Sequence, residues 1–178
     1  MYGGSEEGNV GSRLQVESQR SFLQSTMVPG VASDTGYGVD ALIENWGFVT
    51  TFHPDIDVQL LCLENSPEGW MVGSTLGRLT ITENTLRHAF PYLVNDKEGG
   101  EREQLARRLL GQRLVMRGSI CLEWDYSSGR VASVQHKADL LTPLLELLGN
   151  LEAVSKVFDN ARVTPDSTAV ASENLPNP

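Results

Sequence analysis

Positive charge is what this chain has least of: 14 lysines and arginines stand against 23 aspartates and glutamates, a net charge of −9. Binding to a phosphate backbone depends on lysine and arginine displacing condensed counterions, so this balance counts against direct nucleic-acid binding. The basic residues form no stripe. Arg102, Arg107 and Arg108 share one segment with Glu101 and Glu103 and read as a solvated helix face. Cysteine is scarcer still. Cys62 and Cys121 each sit in an apolar strand pattern, at a spacing that signals neither a disulfide framework nor a zinc site. Both are expected to be buried free thiols in a reducing compartment. No apolar run approaches the ~20 residues of a membrane-spanning helix. The opening MYGGSEEGNVGS has neither the basic nor the apolar part of a signal peptide. The expectation is a soluble intracellular protein, nuclear or cytoplasmic, without membrane contact.

Motifs that carry chemistry are equally thin. The three histidines, His53, His88 and His136, are scattered, and no short spacing joins them to acidic or thiol ligands, so no metal is expected. No nucleophile elbow, phosphate-cradling loop or dinucleotide fingerprint is present, so neither a cofactor nor a catalytic residue is assigned.

What is there is ordinary globular material. At 178 residues, 40% hydrophobic and 21% charged, the chain is long enough for one domain with a substantial core. The domain is expected over 13–163, between a disordered N-terminus (1–12) and a disordered tail (164–178). The most informative stretch is 113–149. Leu114, Met116, Gly118, Ile120, Leu122 and Trp124 alternate with Arg117, Ser119, Glu123 and Asp125, as a half-buried antiparallel strand must. Asp125-Tyr126-Ser127-Ser128-Gly129 supplies a turn, and 130–138 runs back. Thr142-Pro143 then reads as a hydroxyl cap with proline at the first helical position, Gly149 as a stop, and Asn150 as the cap of a last helix.

Upstream, the pattern predicts helices over 14–28 and 40–52. A hairpin of 58–63 with 70–80 follows, then a Thr82-capped helix and an amphipathic helix over 102–110. Gly73 and Gly77 allow the second hairpin strand to bend. The fold class is α+β: a curved antiparallel sheet, a cone or half-barrel, packed on N-terminal helices.

This order of elements resembles the nuclear transport factor 2-like, or polyketide-cyclase-like, superfamily. Gly38-Val39-Asp40-Ala41-Leu42 resembles its glycine before the second helix. Phe52-His53-Pro54-Asp55 resembles the entry to its first hairpin, and Trp124, Asp125, Gly129-Arg130-Val131 and Asp139 resemble its terminal hairpin. Longer words are similar to the region C-terminal to the zipper in oomycete basic leucine zipper transcription factors. They are Ile81-Thr82-Glu83-Asn84-Thr85-Leu86-Arg87, the run from Leu109 to Ser119, Asp139-Leu140-Leu141-Thr142-Pro143, and Leu147-Leu148-Gly149-Asn150-Leu151-Glu152. Those factors carry a basic helix and heptads that this chain lacks, so DNA binding does not carry over.

The resemblance implies a cavity at the wide end of the cone. Pocket-lining candidates are Tyr37, Trp46, Arg117, Trp124, His136 and Asp139. His136 lies in phase with Ala132, Val134 and Ala138; it is either a base in the cavity or a hydrogen-bonded core histidine. Asp139 is expected to cap a helix, and Tyr37, Trp46 and Trp124 to pack in the core or stack on a ligand. Arg117 and Glu123 pair across strands or form a polar wall, while His53 and His88 read as surface residues. Two functions follow. One is a non-catalytic ligand-binding or dimerisation module that regulates, as a homodimer or a heterodimer with related proteins, and takes a small apolar ligand. The alternative is a small isomerase, dehydratase or hydrolase acting on an apolar molecule, which needs two of His136, Asp139, Tyr37 and Arg117 in one cavity.

Overall fold

The computed structural model describes residues 7–94 and 100–168. Helix α1 (Glu7–Thr26) leads into strands β1 (Met27–Ser33) and β2 (Gly36–Tyr37), and helix α2 (Gly38–Phe52) follows. Strands β3 (Asp57–Asn65) and β4 (Trp70–Thr80) form a hairpin. Three helices come next, α3 (Glu83–Ala89), α4 (Pro91–Val94) and α5 (Glu101–Leu109), then the long hairpin β5 (Arg113–Asp125) and β6 (Arg130–Ala138). Helices α6 (Leu141–Leu148) and α7 (Leu151–Phe158) complete the order.

All six strands make one sheet in the order β2-β1-β6-β5-β4-β3, antiparallel at every junction except the parallel β1/β6 pair. The alternation in the sequence is what the sheet obeys. On β5, Leu114 and Met116 are buried while Arg113, Val115 and Arg117 are exposed. Register shifts bend the sheet at Leu60/Cys62 on β3, at Glu123/Trp124 against β6 and between Met27 and Ala32 on β1. Close approach inside the sheet demands glycine at position 118. A Cβ there would lie 2.5 Å from Thr75 Oγ1 and 2.6 Å from the Lys137 carbonyl oxygen.

The core sits at one end of this sheet. Leu79 and Ile81 at the end of β4, with Leu114 and Met116 at the start of β5, pack against α3, α5, α6 and α7 through Leu86, Leu109, Leu144 and Val157. Caps place those helices. Thr82 and Thr85 make a reciprocal capping box at α3, and Asn150 Oδ1 accepts from the Ala153 N–H at α7. With those helices gathered at that end, a hollow lined by α2 remains over the middle of the sheet.

Four local expectations need correction. The first helix ends at Thr26, and Pro29-Gly30 lies within β1 rather than after a helix. The β1/β6 register jumps between Met27 and Ala32, so the proline, which has no N–H to give, sits where the ladder is interrupted. Thr142 is not the cap of α6. The cap position is Leu140, which offers no side-chain bond, and Asp139 just before it holds the helix start: its carboxylate accepts from the Thr142 N–H at 2.9 Å and from the Thr142 hydroxyl at 2.5 Å. Cys62 is exposed and Cys121 half-buried, because both sit at register positions on the face of the sheet opposite the cavity. Ala132 falls out of phase with His136 at the bulge, where Ser133 pairs with Glu123 and Val131 with Trp124.

At the chain's ends, α1 already includes residues 7–12, and residues 1–6 lie outside the described residues. Residues 164–168 are tied to the sheet end. The Ala138 N–H donates to the Asp166 carbonyl and the Leu140 N–H to the Pro165 carbonyl, each at 3.0 Å. Residues 169–178 lie outside the described residues.

Candidate functional site

The hollow under α2 is a cavity of about 480 Å³, within the range of small-molecule sites. Its walls follow from side-chain size on successive strands. On β4 the cavity face carries Thr75 and Gly77, which leave space that larger residues would fill. On β5, Met116, Ile120 and Leu122 face inward, and on β6 Val134, His136 and Ala138 do. Helix α2 supplies the roof with Leu42, Trp46, Val49 and Phe52, and β3 supplies Val58, Leu60 and Leu63 at one rim. After α7, Val163, Ser167 and Thr168 close another edge.

Two histidines enter this apolar space. The backbone N–H of His136 donates to Asp34 Oδ2 at 2.8 Å, tying β6 to the turn between β1 and β2. Its ring Nε2 is shielded from solvent and has no hydrogen-bond partner. Burial pushes the imidazole below its ordinary range, against the opposing pull of the Asp34 charge. His53, at the end of α2, is also lowered by burial, with Asp55 acting the other way. Its Nδ1 lies 3.4 Å from the hydroxyl of the fully buried Thr85. Both rings are therefore neutral near pH 7, each with one nitrogen that donates and one that accepts.

Charge is nearly absent from the walls. Among the described residues, Asp34 is the one carboxylate that lines the cavity, and it is engaged by the His136 backbone. Arg162 is the one guanidinium, and its side chain reaches solvent. No group of three or more histidine, cysteine or acidic residues is placed to hold a metal ion among the described residues.

The six residues anticipated at the pocket are divided. Trp46 and His136 line the cavity. Arg117 and Asp139 lie on a separate shallow groove beside the first half of β5 and the end of β6, with Lys137 and Asp166. There the bonds from Thr142 hold the Asp139 carboxyl below the usual carboxylate range. Tyr37 is 82% exposed, and Trp124 is half-buried but does not line the cavity.

His53 was legible in the sequence and read as surface. It falls in helical phase with Leu42, Trp46 and Val49, the face that roofs the cavity. His88 is not a free surface residue either, since its ring stacks on Phe52 at 5.1 Å. The Asp34–His136 contact spans 102 residues and left no local signal.

Comparison with known proteins follows this geometry. A SnoaL-like polyketide cyclase from Agrobacterium tumefaciens str. C58 superposes with a TM-score of 0.50 at 11% identity, covering 79% of this chain and 94% of that one. A candidate SnoaL-like polyketide cyclase from Jannaschia sp. CCS1 gives 0.47 at 14% identity, covering 84% and 99%. A nuclear transport factor 2-like protein of unknown function from Exiguobacterium sp. 255-15 gives 0.46 at 12% identity, covering 70% and 91%. The fold is thus the nuclear transport factor 2-like cone that the element order resembled.

Within that class, the model of the BZIP transcription factor 1 C-terminal domain matches residues 4–52, the segment that carries α1, β1, β2 and α2. Over this stretch the chain is similar to that domain. Gly38-Val39-Asp40-Ala41-Leu42 lies inside the match, whereas the longer words after Ile81 lie beyond it. No curated protein matches the chain.

Proposed function

We propose that this chain is a non-catalytic regulatory module related to the C-terminal domain of basic leucine zipper factors, which binds a small apolar molecule between α2 and the sheet. The observation that carries this reading is the cavity itself: about 480 Å³, walled largely by aliphatic and aromatic side chains, with two imidazoles and uncharged polar groups such as Asn45 and Thr75 among them. General acid–base chemistry needs two tuned groups facing one substrate. Of His136, Asp139, Tyr37 and Arg117, His136 alone lines the cavity, and the second imidazole there, His53, lies against the buried Thr85 hydroxyl. Pairing with a second copy or a related chain belongs to the same proposal. Val72 and Val115 are exposed on the sheet's outer face, in register positions that share one side of β4 and β5. With a net charge of −9, such a module acts on protein partners and leaves DNA contact to them.

The test is thermal unfolding with and without naphthalene, in the wild type and in Ile120→Trp. A stabilising ligand raises the wild-type midpoint by mass action, and the indole at 120 fills the space and removes the rise. An equal response in both proteins, or none in either, refutes the cavity as the binding site.

One observation favours the enzyme reading as the runner-up: the neutral imidazole of His136 lies at the wall of an apolar cavity, as a general base would. Turnover of any apolar isomerase, dehydratase or hydrolase substrate, lost in His136→Ala while binding persists, would replace the first reading with this one.

A further inference from the structure

We infer that the free edge of β3 takes an extended segment of a protein partner as a seventh strand of the sheet, and that this segment is apolar on the side of the cavity rim and basic opposite Glu64 and Glu68. Such docking goes beyond the ligand-binding reading and stands whether or not the cavity is filled.

Strand β3 is an unprotected edge. It is the last strand of the sheet, paired with β4 on one side only. All nine of its residues are exposed, so no helix or loop covers it among the described residues. The N–H and C=O groups along such an edge are a template for another strand, and proteins usually blunt them with lysine, proline or short length. The opposite edge, β2, is two residues long. β3 holds neither lysine nor proline, and its one interruption is the register shift between Leu60 and Cys62. Side chains add to the backbone. Val58, Leu60 and Leu63 line the cavity rim with Trp46 and Phe48 of α2, and all five are exposed. Leu60 and Leu61 are 56% and 58% exposed, an apolar strip that an added strand would cover.

Charge selects the partner. At the start of β3 the acid is matched, since Asp57 pairs with Arg78 at 3.2 Å. At the other end Glu64 is met by the Cys62 thiol at 3.4 Å, and Glu68 follows in the turn. Both carboxylates are exposed, and neither enters an ion pair among the described residues. A second copy of this chain fits less well, because β3 has no basic residue to offer. Antiparallel self-pairing that sets Leu60 against Leu63, both on the cavity side, sets Glu64 against Gln59 and leaves it unneutralised. An alternating apolar strand that ends in lysine or arginine satisfies the backbone edge, the rim and the carboxylates together.

The experiment uses three nine-residue peptides, matched to β3 in length and blocked at both termini. One alternates valine and threonine with a lysine at each end, the second has glutamate ends, and the third is the lysine peptide with every core amide N-methylated. Each is titrated calorimetrically into the whole chain at low salt. We expect the lysine peptide to bind at least about tenfold more tightly than the glutamate peptide, and N-methylation to cost at least about tenfold by removing the donors. In Glu64→Lys with Glu68→Lys the order of the two charged peptides reverses, and an unchanged urea midpoint reports that this variant is folded. Amide hydrogen exchange slows across Asp57–Asn65 when the lysine peptide binds, and not on β2. The inference is overturned if no peptide binds the wild type, or if the N-methylated or glutamate peptide binds as tightly as the lysine one. It is equally overturned if the order survives in the double variant or protection falls outside β3. Self-association that already slows β3 exchange in the free chain would assign the edge to a second copy and overturn it too. In each case the cavity reading stands.

Discussion

His53 and His136 set how this protein responds to acid. In the unfolded chain both imidazoles titrate near 6.5, and burial lowers them in the folded state. Between the folded and unfolded values the unfolded chain holds protons that the folded chain does not. Stability is therefore complete above about 6.5 and is lost as pH falls through the folded values. Each unit of separation corresponds to about 1.4 kcal/mol. Urea midpoints measured at pH 7.5 and 5.5 should fall on acidification in the wild type and fall less in His136→Phe. Asp125 and Asp139, whose carboxyls are lowered by hydrogen bonds, titrate below 3.8 and stay out of that window. An unchanged midpoint would mean the imidazoles are not desolvated. Glycine 118 is the other residue on which much depends. Gly118→Ala forces a methyl group against Thr75 Oγ1 and the Lys137 carbonyl. It should cost about 1–3 kcal/mol by overpacking, read from the same urea curves.

At the scale of single elements, the helices at the closed end are held by specific caps. Asp139→Ala removes the acceptor of the Thr142 N–H and hydroxyl at the start of α6, and Asn150→Ala removes the acceptor of the Ala153 N–H at α7. Each should lower stability by about 1 kcal/mol, whereas Arg117→Ala on the exposed strand face should change it by less than about 0.5 kcal/mol. None of the three should alter naphthalene affinity, because none of these side chains lines the cavity. Loss of binding in Asp139→Ala would move the site to the groove that holds Arg117 and Asp139. The strands and turn of the hairpin β5–β6 were readable, since alternation and turn chemistry act locally, but its bulge at Ala132 was not. Strand β1 was not, because its Pro29-Gly30 breaks a ladder that only pairing with β6 reveals.

For the whole molecule, the uncovered outer face of the sheet is the feature with the largest consequence. Val72 and Val115 are 37% and 51% exposed there, and light scattering should report twice the 19.5 kDa chain mass. Val72→Glu with Val115→Lys should return the monomer while leaving the urea midpoint within about 0.5 kcal/mol of stability at low protein concentration. A monomeric wild type would end the dimer proposal and leave the cavity untouched, since that site lies on the opposite face.

Sequence alone determined the kind of fold and the outline of most elements. The two-residue alternation of β5, the glycine stops, the Thr82 and Asn150 caps and the acidic balance are local or additive properties, and local properties need no knowledge of distant contacts. Tertiary structure decided which chemistry faces which space. Arg117, His136 and Asp139 lie near one another in the chain, yet strand pleating puts one in the cavity and two outside it. His53 arrives from the end of α2, and Asp34 from a turn 102 residues before His136, because parallel pairing of β1 with β6 sets Ser33 beside Val134. A site built from such long-range closures is set by how the sheet curves, and curvature is a sum over many pairings that no single stretch of residues contains.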